Sequence, residues 1–300
     1  MELDSIIKLK KEKNFTVLAH NYQLGEVQEI ADFVGDSLEL SRIAREVKTE
    51  KILFAGVRFM AETAKLLSPE KKVVFPVMDA GCEMADMVSA NLLKKMKSEH
   101  PNAAVVAYVN TTAEIKSLSD ICCTSSNAVK IVNSLENEEI IFIPDKNLAA
   151  FVQRQTKKRI FPYNGWCYVH NQIKIKDVLR ARDLHPGAKL MIHPEAPEEV
   201  QLLADYVLST GGMQKTAGED NANEFIVGTE RGMVYRLKKL YPHKIFHLLR
   251  EEMPLTCYNM KKTRLNDVKR ALTDEENEIV IDDAVKEKAL SAIERMLQIK

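Results

Sequence analysis

One pattern occurs three times along the chain of 300 residues. A basic residue opens a short apolar run that reads as a strand, a loop follows, and one cysteine closes the segment. The copies are Lys72–Ala85 (KVVFPVMDAGCEMA), Lys158–His170 (KRIFPYNGWCYVH) and Lys244–Met260 (KIFHLLREEMPLTCYNM). Their cysteines, Cys82, Cys167 and Cys257, lie 85 and 90 residues apart. Each interval is long enough for a small domain. The pattern predicts three similar units, each carrying one thiol to a common point.

The totals narrow the function classes. Lys plus Arg equals Asp plus Glu at 43 each, so there is no net field to hold nucleic acid or an anionic membrane. No apolar run approaches the roughly 20 residues of a spanning helix. The start, MELDSIIKLKKEK, is charged and amphipathic, unlike a signal peptide. A cytoplasmic protein with reduced thiols is the expectation. The cysteine count of 5 is odd and the spacing wide, which argues against a disulfide framework and for metal or catalytic use.

Apolar periodicity predicts the elements. A helix covers Ile6–Lys13, a buried strand Phe15–Gln23, then helix, break and helix over Val27–Val47, with Asp36 or Ser37 capping the second. Strand Lys51–Val57, helix Phe59–Leu67 and strand Lys71–Val77 lead to Cys82. The order repeats from Ala104 to Cys167 and from Lys189 to Cys257. Glu278–Asp282 reads as a strand and Val285–Ile299 as a last helix. The expected architecture is α/β: three similar three-layer αβα domains with parallel sheets. Their bounds are 1–84, 85–170 and 171–260, with the tail 261–300 packing back on the first. No Gly/Ser-rich linker separates them, so one rigid body is expected.

Aligning the units on Ala31-Asp32, Ser119-Asp120 and Ala204-Asp205 brings three hydroxyls into register: Ser37, Ser125 and Thr210. Seventeen residues before each stands a polar side chain at the end of a first strand: His20, Tyr108 and His193. The equal interval predicts three strand-end polar groups and three helix-start hydroxyls around one axis. Hydroxyls beside free helix N–H groups suit carboxylate or phosphate, and in parallel sheets ligands sit beyond the carboxyl ends of strands. Nearby are Tyr22, Asn110 and Glu195. Glu195 is the one carboxylate of the three strand-end tripeptides, a natural general acid or base, with Tyr22 or a histidine as second proton carrier. His170, three residues past Cys167, is placed to face the same cavity.

Three thiolates on zinc leave a fourth position for water. An iron–sulfur cubane usually takes four cysteines; with three, one iron is open to substrate as a Lewis acid. The absence of CxxC pairs favours a cluster at a domain junction, and zinc stays open.

These residues closely resemble the quinolinate synthase family, the iron–sulfur enzymes of de novo NAD (pyridine nucleotide) biosynthesis. The resemblance covers nearly the whole chain. It is carried by Ala19-His20-Asn21-Tyr22, Gly35-Asp36-Ser37-Leu38, Phe59-Met60-Ala61-Glu62, Tyr108-Val109-Asn110 and Thr124-Ser125-Ser126-Asn127-Ala128-Val129. It continues in Pro144-Asp145-Lys146-Asn147-Leu148, Cys167-Tyr168-Val169-His170, His193-Pro194-Glu195, Ser209-Thr210-Gly211 and Gly228-Thr229-Glu230. It implies three αβα domains around a pseudo-threefold axis and a 4Fe-4S cluster on Cys82, Cys167 and Cys257. It implies a transferase-type dehydrating condensation of iminosuccinate with dihydroxyacetone phosphate to quinolinate, phosphate and water, with functional coupling to an iminosuccinate-producing enzyme. His20, Ser37, Tyr108, Asn110, Ser125, His193, Glu195 and Thr210 would bind substrate, with His170 a further contact. Tyr22, Glu195 and His193 would be catalytic. Two positions depart from the family pattern. Ala196 stands where a cysteine is usual, and Trp166 precedes Cys167 where histidine is common, placed to shield the cluster.

Simpler roles are expected elsewhere. Cys122 and Cys123 read as buried structural thiols. His100, His185, His243 and His247 read as surface or packing residues, and Met84, Met87, Met213, Met233 and Met260 as packing around the axis. Asp32, Asp120 and Asp205 fit a repeated turn or cap. Gly211-Gly212 fits either an anion loop or a plain turn. Two rival functions stand beside the synthase: an iron–sulfur hydro-lyase on another small dicarboxylic acid, and a non-catalytic iron–sulfur or zinc sensor.

Overall fold

The computed structural model describes residues 2–299 and orders them as three successive runs of the same eight elements. The first run is α1 (Glu2–Glu12), β1 (Phe15–His20), α2 (Gly25–Ile30), β2 (Phe33–Gly35), α3 (Ser37–Glu46), β3 (Lys51–Ala55), α4 (Arg58–Leu67) and β4 (Lys72–Val74). A short helix, α5 (Glu83–Asp86), follows Cys82. The second run is α6 (Ala90–Glu99), β5 (Ala104–Tyr108), α7 (Ala113–Ser117), β6 (Ile121–Cys123), α8 (Ala128–Ser134), β7 (Glu139–Ile143), α9 (Lys146–Gln153) and β8 (Arg159–Pro162). The third is α10 (Ile175–Leu184), β9 (Lys189–Ile192), α11 (Glu198–Gln201), β10 (Tyr206–Val207), α12 (Thr210–Glu219), β11 (Glu224–Gly228), α13 (Gly232–Leu240) and β12 (Ile245–Leu248). Helices α14 (Leu265–Asp274) and α15 (Asp283–Gln298) close the chain.

Each run makes its own four-stranded sheet, in the orders β2-β1-β3-β4, β6-β5-β7-β8 and β10-β9-β11-β12. Every pairing within them is parallel. Parallel sheets survive only with both faces covered, and β1 is buried at all six positions. Strands β1, β5 and β9 each sit where the strand order reverses. That is the switch point at which open α/β sheets bind ligands.

Strands β2, β6 and β10 replace what the sequence reads as plain breaks between helices. They are only 3, 3 and 2 residues long, too short to carry a two-residue period. An identical clamp holds them. Asp32, Asp120 and Asp205 each accept the N–H of Val17, Val105 and Leu190, at 2.8, 2.7 and 2.8 Å. Each also returns its own N–H to the same residue's carbonyl. The repeated aspartate is therefore a strand tie.

The tail does not stay on the first unit. Helix α14 lies against α1, α2 and β3, whereas α15 lies chiefly on α7 and β6, with α4 beside it. Its Ala289, Ala292, Ile293 and Met296 form the buried face responsible. Glu278–Asp282 is no strand; it contributes an isolated antiparallel bridge, Glu278 to Val74. Among the described residues no helix is long and apolar enough to cross a membrane.

Candidate active site

The three sheets point the carboxyl ends of their central strands at one cavity. His20 and Tyr108 are the last residues of β1 and β5, and His193 directly follows β9. All thirteen residues singled out from the sequence line this cavity: those three, Tyr22, Ser37, Cys82, Asn110, Ser125, Cys167, His170, Glu195, Thr210 and Cys257.

The two strand-end histidines are built alike. His20 Nδ1 accepts the N–H of Tyr22 at 3.1 Å, and His193 Nδ1 accepts the N–H of Glu195 at 3.4 Å. With Nδ1 used as an acceptor, the ring proton sits on Nε2. Burial pulls His20 down to about 4 and His193 down to about 3. Both are neutral N–H donors at neutral pH.

Ser37 and Thr210 open α3 and α12, whose caps are Asp36 and Ser209. Ser125 does not open a helix. It lies in a turn that Asn127 closes by accepting the Thr124 N–H at 2.7 Å, and α8 starts only at Ala128. Asn127 holds the cap position, and its side-chain carbonyl turns back to Thr124 and closes the turn rather than capping α8. Ser125 instead hydrogen-bonds Tyr108. Its neighbour Ser126 ties the units together, bonding Asp36 at 2.6 Å and Ser209 at 2.8 Å. Gly211 belongs to α12 and leaves room for this hub: a Cβ there would lie 2.5 Å from Asp36 Oδ2.

Glu195 is 4% exposed. Its Oε1 accepts the Tyr108 hydroxyl at 2.7 Å and its Oε2 lies 2.7 Å from His170 Nδ1. Burial works against the charge, but His193, His170 and Tyr108 outweigh it and hold the carboxyl below its usual range. An ionised carboxylate can only accept, so His170 carries a proton on Nδ1, and in the neutral ring Nε2 is the acceptor. Nε2 then takes the hydroxyl proton of Thr229, 2.7 Å away, and Thr229 accepts from the Tyr22 hydroxyl at 2.6 Å. Burial, first of all, raises the Tyr22 phenol well above its usual range. A directional chain therefore runs from a phenol to a carboxylate.

The three cysteines share one local design. In each, the carbonyl accepts the N–H four residues on: Asp86, Asn171 and Lys261. Each sulfur faces the N–H three residues on: Ala85, His170 and Met260. Burial pushes all three thiols up, and those N–H groups oppose it. The sulfurs do not all lie within 4.8 Å of one another, whereas Cys167, His170 and Glu195 do. Three thiolates on one zinc, with Zn–S of about 2.3 Å, would stand about 3.8 Å apart.

The family model described as quinolinate synthetase A protein (NadA) matches residues 4–298. The quinolinate synthase of Alkaliphilus metalliredigens is 50% identical over 299 residues, 99% of this chain and 98% of that protein. Quinolinate synthase 2 of Methanosarcina acetivorans is 51% identical over 296 residues, covering 99% and 95%. The quinolinate synthase of Pyrococcus abyssi is 51% identical over 298 residues, covering 99% and 98%. The chain belongs to the quinolinate synthase family.

Within this quinolinate synthase framework, some site residues are not evident from composition or interval. Thr229 links the two proton carriers. Glu230, fully buried, pairs with Lys261 at 2.9 Å, and Lys261 also donates to the Tyr22 carbonyl. Lys116, equally buried, donates to the Val109 and Thr111 carbonyls and so fixes the loop carrying Asn110. Asn110 Oδ1 is buried without a partner among the described residues, an orphan that faces the cavity. A register of the third strands would have found Thr229 and Glu230, which follow β11 as Pro144 and Asp145 follow β7. Trp166 does not line the cavity; its ring packs under Lys146, with Nζ 4.8 Å from the centroid. Cys122 and Cys123 are fully buried on β6. His185 stacks on His247 at 3.5 Å and His100 on Phe161 at 3.6 Å, as packing residues do.

Proposed function

We propose that this quinolinate synthase family member condenses iminosuccinate with dihydroxyacetone phosphate to give quinolinate, phosphate and water. The observation that carries the reading is convergence: three sequence-distant units bring a thiol, a strand-end polar group and a hydroxyl to one cavity.

Cys82, Cys167 and Cys257 would hold a 4Fe-4S cluster. Their donor set fits: three thiols lining one cavity, each with a backbone N–H aimed at its sulfur. With three ligands, the cluster supplies an iron open to substrate as a Lewis acid.

The protein's own residues do the rest. His20 and His193 give neutral N–H donors, and the N-terminal ends of α3 and α12 add hydroxyl and backbone donors for carboxylate or phosphate. Asn110 offers the orphan amide. Tyr22 stays protonated and is the acid, with Glu195 the base at the far end of the Thr229–His170 chain. A carboxylate held below its usual range by these neighbours is a weak base; it gains basicity when substrate draws Tyr108 or His170 away. His193 orients substrate as a neutral donor. Residues 1–84, 85–170 and 171–260 are read as the three repeats, and the cytoplasm as the compartment, where an iminosuccinate-producing enzyme would supply the first substrate.

The test is anaerobic purification, iron and sulfide analysis, and an assay for quinolinate from the two substrates. Four iron and four sulfide per chain, with product, are expected. Colourless protein containing zinc would sink the cluster, and cluster without product would sink the substrate pair.

A further inference from the structure

Each cysteine loop is fastened to the helix that follows the third strand of its unit. One backbone bond does this in all three units: Arg58 to Ala80, Lys146 to Gly165 and Arg231 to Leu255, each 2.9 Å. The acceptor always stands two residues before the cysteine. Two units add a second fastening. Asp145 and Glu230, both 0% exposed, stand two residues past the ends of β7 and β11. Asp145 Oδ1 accepts the N–H of Leu148 in α9 at 2.6 Å, and Oδ2 accepts the N–H of Cys167 at 3.2 Å. Glu230 Oε2 accepts the N–H of Gly232 in α13 at 2.7 Å, and Oε1 accepts the N–H of Cys257 at 3.3 Å. In both, one oxygen grips the helix start and the other grips the cysteine. The same place in the first unit, two residues past β3, is Val57, whose side chain has no acceptor for the Cys82 N–H. The N–H groups of Met84 and Ala85 that face the Cys82 sulfur belong to its own turn and move with it.

We propose that Asp145 and Glu230 are matched positioning residues that lock Cys167 and Cys257, leaving Cys82 as the loosely held thiol. Groups that fix a ligand residue from behind typically change metal retention tenfold to a hundredfold. The consequence for cluster loss, which starts on the Cys82 side, rests on the iron–sulfur reading above; the difference in loop rigidity does not.

Hydrogen exchange by mass spectrometry on the metal-free full chain tests the rigidity. Peptides covering 80–87, 163–170 and 253–260 report the three loops. In the wild type the first loop exchanges fastest. Asp145→Asn speeds the second loop by about tenfold to a hundredfold, the cost of leaving one buried N–H without its acceptor, and leaves the third alone. Glu230→Gln does the reverse. A wild-type Cys82 loop as slow as the others overturns the proposal, and so does uniform loosening of all loops in either variant. On reconstituted protein, both variants release iron to a chelator about tenfold to a hundredfold faster than the wild type; unchanged release overturns the ligand-holding role. If the wild type takes up no iron, the functional reading fails while the exchange comparison still stands.

Discussion

Replacing Thr229 with valine separates the two ends of the proton chain. The hydroxyl is fully buried and bridges Tyr22 and His170 at 2.6 and 2.7 Å. Valine keeps the branched shape and removes the bridge. Two buried groups then lose a partner: the Tyr22 hydroxyl loses its acceptor and His170 Nε2 loses its donor. Each orphan costs about 1–3 kcal/mol. Both border the cavity, where water replaces part of the loss, so a net destabilisation of about 1–3 kcal/mol follows. A urea midpoint measures it. The kinetic effect is larger, because positioned acid–base groups contribute about a hundredfold to ten-thousandfold. Thr229 is not among the residues lining the cavity, so kcat falls and KM changes little. Thr229→Ser restores the hydroxyl and most of the rate. Wild-type kcat in the valine variant, in quinolinate assays at saturating substrate, would refute the directional chain.

Three further outcomes follow from the same geometry. Glu195→Gln removes the base and should lower kcat about a hundredfold to ten-thousandfold with iron content unchanged; ordinary turnover would end its assignment. His20 titrates near 6.5 when unfolded but near 4 when folded, held down by burial against the pull of Asp36. The unfolded chain binds more protons in that window, so stability present above pH 6.5 is lost as pH falls toward 4, on the order of 3 kcal/mol for this ring. Urea midpoints at pH 7 and pH 4.5 should differ less in His20→Gln, and an equal difference in both proteins contradicts the account. Lys261→Met leaves Glu230 buried and unpaired, costing about 3–5 kcal/mol, part of which the double variant K261M/E230Q regains; a loss under about 1 kcal/mol in the single variant would show that the pair is not isolated from solvent.

The long central strands and the amphipathic helices were legible because each repeats a period over five or more residues. Phe15–His20 and Ala104–Tyr108 are buried throughout, and continuous apolar runs of that kind are read easily. Strands β2, β6 and β10 were not, because two or three residues hold no period and their aspartate clamps act across 15 positions. The equal interval found His20, Tyr108 and His193, since it reflects a repeated backbone path. It misplaced Ser125 at a helix start because an interval does not show which neighbour wins the cap. Thr229 escaped because its importance is relational. It is an ordinary buried threonine until Tyr22 and His170, 207 and 59 residues away, fold onto it.

The repeat explains where the cavity is, and departures from the repeat explain what it can do. Two residues past the ends of the central strands' polar groups the three units carry Tyr22, Asn110 and Glu195, all lining the cavity. One position, three times copied, thus holds a phenol, an amide and a carboxylate. Identical residues there would give three equal sites with no acid distinguished from base. Burial separates them: it raises the Tyr22 phenol, while His193, His170 and Tyr108 outweigh it at Glu195. The two groups are thereby driven to opposite protonation states at neutral pH, which is the condition for one fold to deliver and accept protons at the same time. The chain from Tyr22 to Glu195 draws on all three units: Tyr22 from the first, His170 from the second, and Thr229 and Glu195 from the third. The second unit supplies the two groups that hold the Glu195 carboxylate, Tyr108 and His170, and adds Asn110 to bind substrate. A quinolinate synthase variant with Tyr22 and Glu195 exchanged would keep the composition of the cavity yet put the phenol beside His193 and the carboxylate beside His20. The donors that hold Glu195 ionised come from Tyr108 and His170, and neither would then reach the carboxylate. Loss of turnover in that exchange, with iron content retained, is the outcome expected if position within the repeat, and not the inventory of side chains, sets the chemistry.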